Sequence, residues 1–335
     1  MKWKLLVGSL LSVLFLFLAF RGARLDDVAH ALADAEYIWI IPVLVLTVLA
    51  FALRAWRWRL LLEPVKRIGF LPLFSSTMIG FMGNNLLPAR LGELMRAHSL
   101  GRSSDVSRSA ALATIVVERI FDIIVLLIVF GLILLSSSVE GEIRAWGLLL
   151  FVLAIPVLAL LMAFRRWPGP VTRLALAAAP GRLRPTVGRM ADNFREGLAV
   201  FSRAGLLLRA LLFSLAMWAC FVLVVELCFR GLGLDLPRGA ALVVLVVMAI
   251  GTMVPSAPGY IGTLQYAGTL ALLQYGVERS VGLSFTFLYH ASQWFPVTAI
   301  GLFFFARENL SLRALARLDS TDRPKEPIGR REETR

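Results

Sequence analysis

Residues 69–100 read GFLPLFSSTMIGFMGNNLLPARLGELMRAHSL. The first half, 69–83, is an apolar arm that would run about 22 Å as a helix. It then meets Asn84-Asn85-Leu86-Leu87-Pro88-Ala89-Arg90. A proline drives the preceding residue out of the helical region and suits the first turn of a helix. Pro88 is therefore expected to end the arm and to open a returning helix over 89–99, giving a hairpin that leaves an apolar layer by the face it entered. A second stretch, 239–275, has the same build. Its break is Val254-Pro255-Ser256-Ala257-Pro258-Gly259-Tyr260-Ile261-Gly262, with Pro258 in the part of Pro88. Gly259 and Gly262 allow close backbone approach.

Outward from these hairpins, the chain is too apolar for a water-soluble globule. Of its 335 residues, 58% are hydrophobic and 17% charged, where a soluble domain carries about 25% charged residues. A bilayer core about 30 Å thick takes about 20 apolar residues per helical span. Such runs lie at 5–20, 38–53, 109–135, 145–164, 206–229 and 282–305. The first resembles a signal peptide, yet Phe20-Arg21-Gly22 lacks the small-residue cleavage pattern, so it is read as a span. The expected fold class is an all-α polytopic membrane protein with about six full spans plus two re-entrant broken hairpins. One transmembrane domain is expected over 1–306, followed by a tail, 307–335, whose mixed charges and Pro324 and Pro327 predict disorder.

Charge fixes the expected orientation. With a cytoplasmic N-terminus and each hairpin entering and leaving by one side, the cytoplasmic segments are 1–4, 54–68, 96–108, 165–205 and the tail. They hold 26 of the 35 basic residues, whereas the outer loops hold six: Arg21, Arg24, Arg144, Arg230, Arg238 and Arg279. Basic residues near span ends face the cytoplasm, so a bacterial inner membrane with both termini inside is expected. The same placement makes 69–100 dip from the cytoplasm and 239–275 from outside. Each hairpin is associated with two full spans, an inverted-repeat-like arrangement found in secondary transporters. The Arg-rich segment 165–205 either lies on anionic lipid heads or is a solvated loop that sets topology.

Other chemistries lack residues. Net charge is +13, but the basic residues sit between apolar runs and form no nucleic-acid-binding module. Cys220 and Cys228, eight residues apart in one apolar run, would be roughly 12 Å apart along a helix and cannot bridge. The three histidines, His30, His98 and His290, form no metal-binding pattern, and no phosphate-loop or dinucleotide motif occurs. No cofactor or metal is expected.

Buried charge marks the candidate site. The span 109–135 carries Glu118, Arg119 and Asp122 about ten residues from its inner end, where each costs about 2.5–3.5 kcal/mol if it faces lipid. Glu118 and Asp122 share a helix face. The first hairpin adds Arg90, Glu93 and Arg96, with Arg90 and Glu93 three apart on one face of the returning helix. These charges either neutralise one another as an ion-pair network locking the hairpin to the span, or present Arg90 or Arg119 to a phosphate while the carboxylates orient the guanidiniums or titrate. Both hairpin tips, Asn84, Asn85 and Pro88 in one and Pro258, Gly259 and Gly262 in the other, would leave a helix N-terminus deep in the layer. Its free N–H groups favour an anion. His290, in the last span beside Gln293, is an interhelical hydrogen-bonder or a proton carrier. Phe303, Phe304 and Phe305 are read as lipid-facing bulk.

The strings at 84–96, at Glu118-Arg119-Ile120-Phe121-Asp122 and at Pro258-Gly259-Tyr260-Ile261-Gly262-Thr263 together resemble the flippase-like family of the lysylphosphatidylglycerol synthase transmembrane region, over about residues 5 to 306. The resemblance implies translocation of a lipid: the best understood members carry an aminoacylated phospholipid across the bilayer, and others are associated with polyprenyl-phosphate or hopanoid lipid pathways. In bifunctional members a separate soluble domain performs the lysyl transfer, and this sequence is expected to lack that activity. The family commonly has Glu where this chain has Gln265 and Arg where it has Tyr289-His290. A neutral Gln265/His290 pair in their place implies a generic phosphorylated lipid rather than a lysyl lipid.

The expected function is a lipid translocator and not an enzyme. The alternatives are a membrane-embedded transferase using Glu118 or Asp122 as base, and a scaffold recruiting a lipid-synthesis enzyme through 165–205.

Overall fold

The computed structural model describes residues 2–88, 90–135, 166–181, 204–254 and 256–310, with single positions at 152, 184, 187 and 188. The described residues form eleven α-helices and no strand. They are α1 (Lys2–Phe20), α2 (Leu25–Ala33), α3 (Ile40–Leu62), α4 (Phe70–Leu86), α5 (Gly92–Ser104), α6 (Arg108–Leu135), α7 (Pro168–Ala178), α8 (Ala204–Gly231), α9 (Ala240–Gly251), α10 (Thr263–Leu273) and α11 (Arg279–Arg307). Short 3₁₀ turns at Tyr37–Trp39 and Pro258–Tyr260 precede α3 and α10.

Among the described residues, two helices, over Tyr37–Leu62 and Gly205–Gly231, are long and apolar enough to cross a membrane. A third candidate is α1 with α2, an apolar pair bent by 82°. Among the described residues hydropathy thus selects two spans, or three with the bent pair, where five of the six expected runs lie. Helices α6 and α11, 28 and 29 residues long, would each reach more than 40 Å, but α6 carries Glu118, Arg119 and Asp122, and α11 a polar stripe. The run at 145–164 lies outside the described residues apart from 152. In 165–205, which contains α7, the positions 165, 182–183, 185–186 and 189–203 lie outside the described residues, as does the tail beyond 310.

Helix α11 is the spine of the molecule, and the hairpins α4–α5 and α9–α10 grip opposite halves of it. Near its C-terminal end, Glu308 accepts hydrogen bonds from Ser75 and Ser99 of the first hairpin, both at 2.7 Å. Further in, Gly301 lies so close to Met78 and Met82 that a side chain there would collide with both. Asn85, at the end of α4, then donates to Thr298 Oγ1 at 2.9 Å. The second hairpin takes over at once: Gly259 rests against Trp294 and the Asn85 carbonyl. Gln265 meets His290 at 2.9 Å, Gly268 packs on Thr286, and Thr269 packs on Gly282. The hairpins therefore approach from the two ends of α11 and meet tip to tip at its middle.

The first hairpin differs in detail from the sequence expectation. Helix α4 continues through Asn84 and Asn85, and the extended residue before the proline is Leu87, at φ −113°, ψ 148°. Pro88 does not open the returning helix, which begins four residues later at Gly92. Two turn hydrogen bonds, from Leu91 N–H to the Pro88 carbonyl and from Glu93 N–H to the Arg90 carbonyl, build the longer turn. Packing demands it: Gly92 sits directly on the Gly80 carbonyl and the Asn84 backbone, where any side chain would clash. Starting the helix at 92 brings this glycine to the closest approach of α4 and α5.

Charged loop residues sort to two ends. At one end, Arg24 N–H donates to Ser280 Oγ, Arg279 to the Leu18 carbonyl, and Glu36 N–H to the Gly231 carbonyl. At the other, Lys66 reaches the Asp105 carbonyl and Arg102 the Asn309 carbonyl. The aromatic run at the end of α11 divides: Phe303 is exposed, but Phe304 is buried against Phe74 and is not lipid-facing bulk.

Candidate functional site

Three helices, α3, α5 and α6, supply the charges of one buried ionic cluster, and α4 and α8 line it. Helix α3 has no breaker between Arg54 and Leu62, so it runs on beyond its apolar start. Its three-residue spacing puts Arg54 and Arg57 on one face. That face meets Glu118 and Asp122, one turn apart on α6. Glu118 is fully buried and accepts from Arg54 Nη1 at 2.8 Å. Arg57 Nη2 stands 3.3 Å from it. Arg96 of α5 binds it with both terminal nitrogens, at 3.1 and 2.8 Å. Asp122 takes Arg57 Nη1 at 2.6 Å, Arg54 Nη1 at 3.1 Å and Arg119 Nη1 at 3.4 Å. Arg119 Nε also pairs with Glu93 at 3.2 Å.

Neighbours fix these guanidiniums in place. Arg96 stacks on Trp58 at 3.8 Å, and the Trp58 indole donates to Thr114 Oγ1 at 2.9 Å. Arg57 also donates to Ser214 Oγ of α8 at 2.9 Å. Arg54 lies 5.0 Å from the Phe81 ring. Among the described residues, Arg54, Arg57, Arg96 and Arg119 face three carboxylates, Glu93, Glu118 and Asp122, so these seven side chains carry one excess positive charge. Access is uneven: the Arg57 and Arg96 side chains are 0% and 2% exposed, whereas Arg119 is 32% exposed. Counted along α3, α5 and α6, Arg54, Arg96 and Glu118 lie about 12–15 Å from the helix ends near Lys66 and Arg102, about half the depth of a bilayer core.

The ion-pair network between the first hairpin and α6 is thus formed, and it includes two residues that the sequence reading left outside it. Arg54 and Arg57 are not the start of a cytoplasmic segment; they are buried deep in the bundle. Arg90 is also not where it was expected. It precedes α5 in a left-handed conformation, φ 55°, and does not share a helix face with Glu93. Its Nη2 donates instead to the Thr252 carbonyl at 3.0 Å, and its guanidinium lies 5.9 Å from the Tyr260 ring. Arg90 is the link from the first hairpin tip to the second.

The second tip uses its own backbone donors. Gly262 N–H, at the start of α10, is capped by Gln265 Oε1 at 2.8 Å, and the other end of that carboxamide meets His290 Nδ1 at 2.9 Å. Ala257 N–H donates to Ser12 Oγ of α1 at 2.7 Å. Pro258 opens a 3₁₀ turn in which Gly259 takes φ 72°, and α10 itself starts at Thr263. Two of the backbone donors expected to await an anion at this tip are therefore taken by Gln265 and Ser12, and the first turn of α5 carries the acidic Glu93. Side-chain guanidinium, more than helix ends, supplies the positive character of the site. No group of residues able to hold a metal ion occurs among the described residues.

A helical bundle with membrane-length helices and a charge cluster buried at mid-depth defines a multi-pass membrane protein. The family model described as the lysylphosphatidylglycerol synthase TM region matches residues 5–301, and the chain belongs to that family. Among its relatives is a UPF0104 membrane protein of Methanothermobacter thermautotrophicus, 23% identical over 82% of this chain and 87% of that protein. Another is a UPF0104 membrane protein of Pyrococcus horikoshii, 23% identical over 90% of this chain and 96% of its own length. The glycosyltransferase AglD of Haloferax volcanii is 28% identical over 41% of this chain but only 22% of its own.

Proposed function

We propose that the chain is a lipid translocator that carries a phosphate-bearing head, of a phospholipid or polyprenyl lipid, across the cell membrane without making or breaking a covalent bond. The observation that carries this reading is the meeting of two oppositely directed hairpins at the middle of α11, beside a buried cluster with one more arginine than carboxylates. In a bilayer, such hairpins are re-entrant segments, and the fold has about six full spans around them. Irregular backbone at that depth needs burial in protein or a polar cavity. The basic end faces the cytoplasm. Arg119, the accessible guanidinium of the cluster, and Arg90, at the junction of the tips, bind the phosphate in turn as the hairpins part.

The test is transfer of a fluorescent phosphatidylglycerol between leaflets of reconstituted vesicles. A charge-assisted hydrogen bond contributes about 1.5–3 kcal/mol, so Arg119→Ala and Arg90→Ala should each slow protein-dependent transfer by at least about tenfold. Unchanged transfer by both variants, inserted at wild-type levels, rejects the assignment.

A transferase is the second reading, favoured by the relative named as a glycosyltransferase. Against it, Glu118 and Asp122 are each held by three guanidiniums and are poorly placed to accept a proton. Lipid extracts of a deletion strain separate the two: a transferase leaves a lipid unmodified, whereas a translocator leaves it on the wrong leaflet.

A further inference from the structure

Guanidinium is unequally divided among the three carboxylates of the ionic cluster. Glu118 pairs with Arg54, Arg57 and Arg96, and Asp122 with Arg54, Arg57 and Arg119. Glu93 pairs, among the described residues, with Arg119 alone. Arg119 itself is loosely held. Its Nη1 stands 3.4 Å from Asp122, and its Nε, 3.2 Å from Glu93, makes no hydrogen bond among the described residues. The Glu93 and Arg119 side chains are 29% and 32% exposed, whereas that of Glu118 is fully buried. This one pair is therefore the part of the cluster that a ligand can reach and part.

The other charged and titratable groups around Glu93 are engaged elsewhere. Arg54 and Arg57 of α3 and Arg96 of α5 bind the two carboxylates of α6. Arg90, one turn ahead of α5, donates to the Thr252 carbonyl beside Tyr260 of the second tip. Helix α4, packed along α5, has no charged or titratable residue. Glu93 stands eleven residues before Ser104, the end of α5, about 17 Å along the helix and about half the depth of a bilayer core. A phosphate that takes Arg119 leaves Glu93 there without a guanidinium, and a lone charge at that depth is costly. The first turn of α5, in which Glu93 stands, offers only a partial charge in exchange. A proton removes the cost.

We infer that Glu93 takes up one proton from water for each lipid phosphate that binds Arg119 and returns it when the phosphate leaves. This coupling rests on the reading of Arg119 as the phosphate ligand, and it adds the ion that moves with the lipid. Carboxylate and phosphate compete for one guanidinium, so the linkage is reciprocal: acid strengthens phosphate binding, and phosphate draws a proton onto Glu93.

The experiment uses the full chain in dodecyl maltoside micelles and fluorescent phosphatidylglycerol, a phosphodiester whose single charge is constant near neutral pH. Binding is measured at pH 6.5 and 7.5, and proton uptake by an indicator dye in lightly buffered solution. The wild type should take up about one proton per lipid bound, and its affinity should fall by up to about tenfold over that pH unit. Glu93→Gln should bind at pH 7.5 at least as tightly as the wild type at pH 6.5, change by less than about twofold between the two, and take up no proton. Wild-type binding without proton uptake overturns the coupling whether or not the variant folds, and so does a pH dependence that persists in Glu93→Gln. In both cases Arg119 stands as the phosphate ligand if Arg119→Ala still weakens binding. Binding indifferent to Arg119→Ala overturns the coupling together with the reading beneath it.

Discussion

Glu118 shows what a single residue does here. It pairs with three guanidiniums at once, and removing one partner of a buried ion pair costs about 3–5 kcal/mol because the remaining charge is stranded. Glu118→Ala should therefore lower the thermal unfolding midpoint in detergent sharply, whereas Glu226→Ala, at an exposed pair with Arg230, should leave it nearly unchanged. Glu118 and Asp122 were legible in the sequence as intramembrane acids, but their main partners were not. Arg54 follows an apolar run, and a basic residue in that position ordinarily marks the end of a span. The available signal was the unbroken helical pattern from Arg54 to Leu62 and its three-residue arginine spacing. Arg90 was legible as a tip residue, but the conformation that turns it to Thr252 depends on the other hairpin, which lies 162 residues away in sequence.

At the level of elements, the hairpins were readable because proline and glycine punctuate their apolar arms. Their turn lengths were not, because these depend on how two helices pack. Gly92 makes this concrete. Its neighbours are backbone atoms that cannot swing aside, so Gly92→Ala must separate α4 from α5 and should abolish recovery of folded protein in size-exclusion chromatography. Gly131→Ala is the control: none of the described residues lies near enough to meet the added methyl, and the helix should gain up to about 1 kcal/mol. A comparable helix contact in the second hairpin joins Gly251 to Ala267 and the Thr263 carbonyl. Both hairpins thus close on glycine, although α9–α10 closes with a 3₁₀ turn and α4–α5 with an irregular one.

Across the whole molecule, two hairpins of opposite direction were expected from the sequence, but not that both would pack along one helix, α11. The runs of α6 and α11 were legible as spans by length, although both carry polar groups that the interior uses. A membrane-impermeant thiol reagent offers a direct check. With both native cysteines replaced by alanine, Arg67→Cys should be labelled only from the cytoplasmic side of oriented vesicles and Glu278→Cys only from the other. Labelling of both from one side would rule out an odd number of crossings between the two positions.

The shared spine sets a rule of length. Because each half of α11 is keyed to a different hairpin, its contacts with both are in register only if the number of residues between them is kept. An extra residue between Thr286 and Thr298 would rotate one half about 100° against the other. Either Thr298 would turn from Asn85, or Thr286 from Gly268. Exchanges of side chain in this stretch should be borne far better than a one-residue insertion, which should uncouple the two hairpins however conservative the added amino acid.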